Sequence, residues 1–301
     1  MKRRLAQLLA RPPAGGTLPN DWIEQEAARL DDVTSGIDLP LRLTHRQVDD
    51  VLACGAKWLA KAELPDTMPT AWTLRRELIR QAATEWIEAS LAGTAPQPHH
   101  FVESLLHDDG RLDPLTTTYL LVLGDYARTE LTGLIVGAIC RLDSAWPTLA
   151  QDQRIHLGPA LPEYRSNGVT LVSDLVDLTV GWHTADGNSI RPGSVLVHLE
   201  PDATHPHLLD RMLLDTVVHG LAAGAPPTRL VGLGLTHGGT VWRDLTPDHW
   251  DTAAAAVRLA IRRIHRARTR LEVTVDGGPH CNSCPDKDEC DLSEFEPDDP
   301  F

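Results

Sequence analysis

A mixed α+β fold, with helices flanking one central sheet, is what this sequence predicts. Three features point to it. Apolar residues recur at helical spacing through the first half, strand-like runs take over after about residue 150, and a long helix follows the last strand. The chain has 301 residues, 42% of them hydrophobic, enough to bury a substantial core.

The elements follow in order. Residues 1–42 read as a helical extension, and residues 43–291 as one domain. The segment LTHRQVDDVLACGAKWLA, Leu43 to Ala60, opens on a Thr N-cap and spaces Val48, Val51, Leu52 and Leu59 helically. A second helix is expected from Thr73 to Leu91, ended by Gly93 and Pro96, and a third helical region from Thr116 to Leu142, broken near Gly124. Residues 98–114, rich in His, Asp and Gly, read as a loop. Arg154–Leu157, Val169–Val180 and Ser194–Glu200 read as a three-strand meander with GW, DGN and RPG turn signals. A helix from His207 to Ala223, a strand pair (Leu230–Leu235, Gly239–Trp242) and a helix from about Pro247 to Arg270 complete the order.

The net charge of −14 argues against non-specific nucleic-acid binding, but it is unevenly spread. From Asp276 onward nine acidic residues face one basic residue, Lys287, and residues 292–301 read as an acidic, mobile tail. No apolar run approaches the roughly 20 residues of a membrane helix, and LAQLLA near the start is too short for a signal peptide. A cytoplasmic location is expected. There, five cysteines read as metal ligands or buried thiols rather than disulfides.

Three of those cysteines, Cys281, Cys284 and Cys290, fall in GGPHCNSCPDKDEC, a C-x2-C-x5-C spacing suited to metal ligation. Three thiolates do not close a four-coordinate centre. Cys54 and Cys140 are the remaining candidates for the fourth ligand.

A cysteine in an early helix and a C-x2-C-x5-C segment after the last helix together resemble the iron–sulfur branch of the PD-(D/E)XK nucleases. That branch includes RecB-like and AddB-like repair nucleases and the nucleases of CRISPR adaptation. The resemblance covers residues 43–291 and rests most on LTHRQVDDVLACGAKWLA and GPHCNSCPDKDEC. It implies a restriction-endonuclease-like core sheet whose two ends are clasped by a [4Fe–4S] cluster on Cys54, Cys281, Cys284 and Cys290. A zinc knuckle is the alternative, but a lone partner 227 residues from the others favours the cluster. Cys140, on the apolar face of LIVGAICRLD, reads instead as a buried small hydrophobe.

The hydrolytic set that the resemblance implies is incomplete. Such nucleases hold a divalent metal on carboxylates and use a lysine to orient the attacking water. In VTLVSDLVDLTVG, Asp177 takes the place of the first carboxylate, with Asp174 where a glycine is usual. In SVLVHLEPD, His198 replaces the second carboxylate and Glu200 the lysine. Arg211 and Asp215 stand where Q-x3-Y is expected, and Gln81 where the early helix carries a histidine. The only lysines are Lys2, Lys57, Lys61 and Lys287, so none is available from the sheet, and arginine cannot act as a base.

On the last helix Arg258, Arg262, Arg266 and Arg270 recur every four residues, a stripe able to track a phosphate backbone. The resulting expectation is a hydrolytically inactive RecB-like fold that binds DNA weakly on its own, or serves as a scaffold beside a helicase or an active nuclease. Two alternatives are a Mg- or Mn-dependent DNase using Asp177, His198 and Glu200, and an iron–sulfur redox sensor acting through protein partners.

Overall fold

The computed structural model describes the chain except residues 1, 11–20, 38–39, 63–68, 108–110, 150–152, 158–161, 184–189, 203, 270–272, 274, 276–277, 279, 282–283, 286–289 and 291–301. The acidic tail and Arg270 therefore lie outside the described residues. The mixed α+β class expected from the sequence is the class observed.

The chain opens with α1 (Lys2–Leu9), α2 (Trp22–Thr34), β1 (Leu41–Leu43), α3 (His45–Ala53) and α4 (Gly55–Ala62). Four longer or paired helices follow: α5 (Ala71–Leu91), α6 (Pro98–His107), α7 (Pro114–Val122) and α8 (Asp125–Ala145). Next come β2 (Gln153–Leu157), β3 (Glu163–Ser166), β4 (Val169–Val172), β5 (Leu178–His183) and β6 (Ile190–Glu200). The chain then runs through α9 (His207–Arg211), α10 (Leu213–Ala223), β7 (Arg229–Gly234), β8 (Thr240–Asp244) and α11 (Pro247–Arg268).

Two sheets replace the single central one. A five-stranded sheet runs β2-β5-β6-β7-β8, antiparallel except for the parallel pair β6–β7, and a three-stranded sheet runs β1-β4-β3. The expected strand Val169–Val180 is cut in two by residues 173–177, so β4 joins the small sheet and β5 the large one. Ser173, Asp174 and Asp177 mark the link that separates them. Pro98–His107 is likewise a helix rather than a loop, because Phe101, Val102, Leu105 and Leu106 form a buried face at helical spacing.

The large sheet separates two cores. Strict alternation along β6 sends Val195, Val197 and Leu199 into one core, with α1, α5, α6 and α8, and Leu196 into the other. The second core contains α2, α3, α10, α11 and the small sheet, and Trp22 meets Trp250 edge to face there at 5.0 Å. The N-terminal segment belongs to both: Leu5, Leu8 and Leu9 of α1 enter the first core, and Trp22 and Leu30 of α2 the second.

The early helix is broken at Cys54. Thr44 and Gln47 form a capping box at its start, and Cys54 ends α3 in an extended conformation (φ −164°, ψ 117°) before α4 resumes. Arg263 of α11 donates to the carbonyls of Leu52 (2.9 Å) and Val51 (3.3 Å), satisfying acceptors that the break exposes.

Candidate functional site

Asp177, His198 and Glu200 come together at the carboxyl end of β6, where the 173–177 link enters β5. Asp177 docks through its backbone N–H on the Val197 carbonyl (2.9 Å), and its Oδ2 accepts from the Leu199 N–H at 2.6 Å. His198 places Nδ1 3.0 Å from Asp177 Oδ2 and Nε2 3.5 Å from Glu200 Oε2, and its Nδ1 also meets the Leu175 carbonyl. All three side chains are nearly enclosed, with Glu200 the most accessible at 11%.

Two residues that the sequence reading missed complete the arrangement. Arg80 donates from Nη2 (2.7 Å) and Nε (3.0 Å) to Asp177 Oδ1. Arg76, one turn earlier on α5, bridges Glu200 and Asp202. The spacing of four residues puts both guanidiniums on one helical face. Gln81, which the resemblance set in place of a histidine, turns away and donates to Glu85 Oε1 (2.9 Å) and the Arg111 carbonyl (3.0 Å). An R-x3-R pair on an amphipathic helix reads as solvated surface, so only the absence of lysine hinted that arginine answers these carboxylates.

The electrostatics are those of a closed ion-pair network. Burial alone would lower the His198 pKa, but hydrogen bonds to Asp177 and Glu200 and the Asp177 charge raise it to about 9. The imidazole is therefore protonated at neutral pH. Burial would raise the Asp177 carboxyl, yet the Arg80 charge, His198 and the Leu199 amide hold it below its ordinary value. For Glu200 the same burial penalty is outweighed by His198 and Arg76. Among the described residues no three His, Cys, Asp or Glu side chains gather in a geometry able to hold a metal ion. A divalent metal here would have to displace Arg76 and Arg80 and deprotonate His198.

The neighbouring acidic positions have other partners. Asp174 accepts from His45 Nδ1 (2.6 Å), and Arg211 donates to His45 Nε2 (2.9 Å). Burial would raise Asp174, and the hydrogen bond from His45 lowers it below its ordinary value. Asp215, fully buried on α10, accepts from Ser173 Oγ (2.5 Å) and the Leu175 N–H (3.3 Å), while His219 Nε2 donates to Ser173 Oγ (3.1 Å). Burial pushes Asp215 up to about 6 and His219 down to about 4.

Cys54 and Cys281 are both buried. Lys57, one turn after Cys54 and itself 4% exposed, donates to the His280 carbonyl at 2.9 Å, so segments far apart in the chain meet here. The Gly278 N–H points at Cys281 Sγ (3.4 Å). Cys284 and Cys290 are half-buried, and the four thiols do not form an assembled set. Cys140 is exposed rather than buried, because it falls on the outer side of α8, whose inward face is Leu131, Ile135, Ala138, Ile139 and Leu142.

The arginine stripe of α11 is divided. Arg258 forms an ion pair with the buried Glu26 of α2, which withdraws it from the solvent face. Arg262 and Arg266 are exposed, and Arg268 stacks over Trp58 at 5.7 Å.

No family model matches the chain, and no curated protein matches it in sequence. Two solved structures align along nearly its full length. One is a "putative exonuclease" of Eubacterium rectale, with TM-score 0.42 and 10% identity over 95% of this chain and 97% of that one. The other is SSO0001, with TM-score 0.29 and 11% identity over 91% and 96%. Neither transfers a role to any residue.

Proposed function

We propose that this protein is a RecB-like PD-(D/E)XK fold without hydrolytic activity that acts as a DNA-binding or scaffold subunit beside a helicase or an active nuclease. The observation that carries this reading is the pairing of Arg80 with Asp177 and of Arg76 with Glu200, together with a protonated His198 between the two carboxylates. Metal-dependent hydrolysis needs carboxylates free to hold the ion and a base to activate water. Here both carboxylates already neutralise fixed cations.

Cys54, Cys281, Cys284 and Cys290 would hold the [4Fe–4S] cluster, and the buried meeting of the Cys54 and Cys281 segments supports that assignment. The cluster's part is mechanical, since metal-binding free energy at such a site is folding free energy. Cys54→Ser or Cys284→Ser should therefore yield insoluble or protease-sensitive protein. Normal yield and melting behaviour would remove the staple from the proposal.

A second reading keeps its footing because Asp177, His198 and Glu200 do converge: a variant Mg- or Mn-dependent DNase. Anaerobic purification, with iron, sulfide and zinc quantified, followed by DNase assays with both metals on single- and double-stranded ends, separates the two. About four irons and no cleavage support the inactive scaffold. Cleavage abolished by Asp177→Asn supports the enzyme.

A further inference from the structure

The later part of α11 carries charge of one sign. From Ala253 to Arg268 the helix has no Asp or Glu, and α4, which packs against it, brings Lys57 and Lys61 and no carboxylate. Arg258 is already neutralised by Glu26. Arg262 and Arg266, one turn apart, face solvent, and Leu259, 40% exposed, precedes them on the same side. The face is thus basic with an apolar edge, in a chain whose net charge is −14.

Two contacts bring an acidic stretch of the same chain close to it. Lys57 of α4 donates to the His280 carbonyl at 2.9 Å, and the neighbouring Trp58 lies under Arg268 at 5.7 Å. After α11 the chain therefore returns to α4 beside the end of that helix. From His280 to Asp291 the backbone can reach about 36 Å, whereas Leu259 to Arg268 spans about 14 Å along the axis. Residues 291–301, DLSEFEPDDPF, hold five carboxylates and no basic side chain. A segment tethered so near meets the helix at an effective concentration in the millimolar range, where even modest surface ion pairs engage.

The two patterns also match. In an extended segment alternate residues share a side and lie about 6.7 Å apart, which sets Leu292, Glu294 and Glu296 in one row. Arg262 and Arg266 are about 6 Å apart along α11. The row apolar–acidic–acidic has the order of Leu259, Arg262 and Arg266, giving one apolar contact and two opposite-charge pairs. A second copy offers the same segment, but without the tether and against mutual repulsion at −14.

We propose that residues 291–301 dock on this face within their own chain, Glu294 and Glu296 against Arg262 and Arg266, and shield it from phosphate groups. The docking stands without the nucleic-acid reading, and the shielding rests on it.

The docking is tested in the full chain with a benzoylphenylalanine photocrosslinker in place of Leu292. At low salt, irradiation should join that position to an α11 peptide containing Leu259, in a monomeric product. Arg262→Gln with Arg266→Gln should lower the yield at least about fivefold. Salt at 1 M, where the screening length is about 3 Å, should lower it similarly. No crosslink to α11, crosslinks only between chains, or a yield that neither change lowers overturns the docking.

The shielding is read by fluorescence anisotropy with a single-stranded oligonucleotide. Glu294→Gln with Glu296→Gln should tighten binding about fivefold in the otherwise native chain, and by less than about 1.5-fold when Arg262→Gln and Arg266→Gln are also present. Equal tightening in both backgrounds reports only a general loss of negative charge and overturns the shielding. No oligonucleotide binding by any of these variants removes the nucleic-acid reading and the shielding with it, while the crosslink still decides the docking.

Discussion

Two buried polar networks grip the same short link, residues 173–177, and they handle charge in opposite ways. Around Asp177, His198 and Glu200 each charge meets an opposite one, and burial strengthens the attraction. Around Ser173, Asp215 and His219 the groups are driven toward neutrality instead: Asp215 holds its proton to about pH 6, His219 gives its proton up at about 4, and Asp215 Oδ2 has no hydrogen-bond partner. The first network is a set of mutually dependent charges, costly to break at any one member. The second is tolerated by proton movement, so its members can be removed singly at smaller cost.

Asp177→Ala tests the first half most severely. It strips Arg80, His198 and the Leu199 N–H of their shared acceptor, and unfolding by urea should show a loss of about 3–5 kcal/mol. A loss under about 1 kcal/mol would mean that these charges do not depend on one another.

The pH dependence is next in size. His198 binds its proton more tightly folded (about 9) than at its ordinary value of 6.5, so its contribution is complete below pH 6.5 and lost as pH rises through 9. That contribution is up to about 3 kcal/mol. Stability curves of the wild type and of His198→Gln should diverge below pH 9, and parallel curves would refute a protonated His198.

The second network should look silent until it is dissected. Asp215, raised from 3.8 to about 6, stabilises below pH 3.8 and loses that effect as pH rises through 6. His219, lowered from 6.5 to about 4, stabilises above pH 6.5 and loses that effect as pH falls through 4. The two slopes oppose each other over the same window. Relative to wild type, Asp215→Asn should lose about 2–3 kcal/mol more on acidification from pH 6.5 to 4, and His219→Gln should gain a similar amount. Slopes of the same sign in the two variants would dissolve the contrast between the networks.

The smallest stability effect is expected on α11. Arg262→Gln with Arg266→Gln should change folding stability by no more than about 0.5 kcal/mol, yet reduce the salt slope of DNA binding by up to about two. An unchanged slope would remove this face from any nucleic-acid contact.

Much of the scaffold was legible in the sequence, and its failures have physical causes. Periodicity located α5, the break at Gly124 and α11, because each buries one continuous apolar face. The break at 173–177 went unread although Ser173, Asp174 and Asp177 mark it, because the apolar residues on both sides alternate with Thr170 and Thr179 as those of one longer strand would. At the site, the sequence named Asp177, His198 and Glu200 together, and the structure brings their side chains into contact, His198 Nε2 lying 3.5 Å from Glu200 Oε2. The cations were not legible: Arg76 and Arg80 are 97 or more residues from the carboxylates they meet, and nothing local separates them from surface arginines. Arg258 erred the other way, reading as surface because its partner Glu26 is 232 residues distant.

The most direct measurement is calorimetric titration of the wild type and Asp177→Asn with Mn²⁺ at neutral pH. A network already closed by Arg76, Arg80 and protonated His198 should give no saturable heat that depends on Asp177. Stoichiometric Mn²⁺ binding in the wild type, lost in Asp177→Asn, would show that the carboxylates are available to a metal and that the site is not closed.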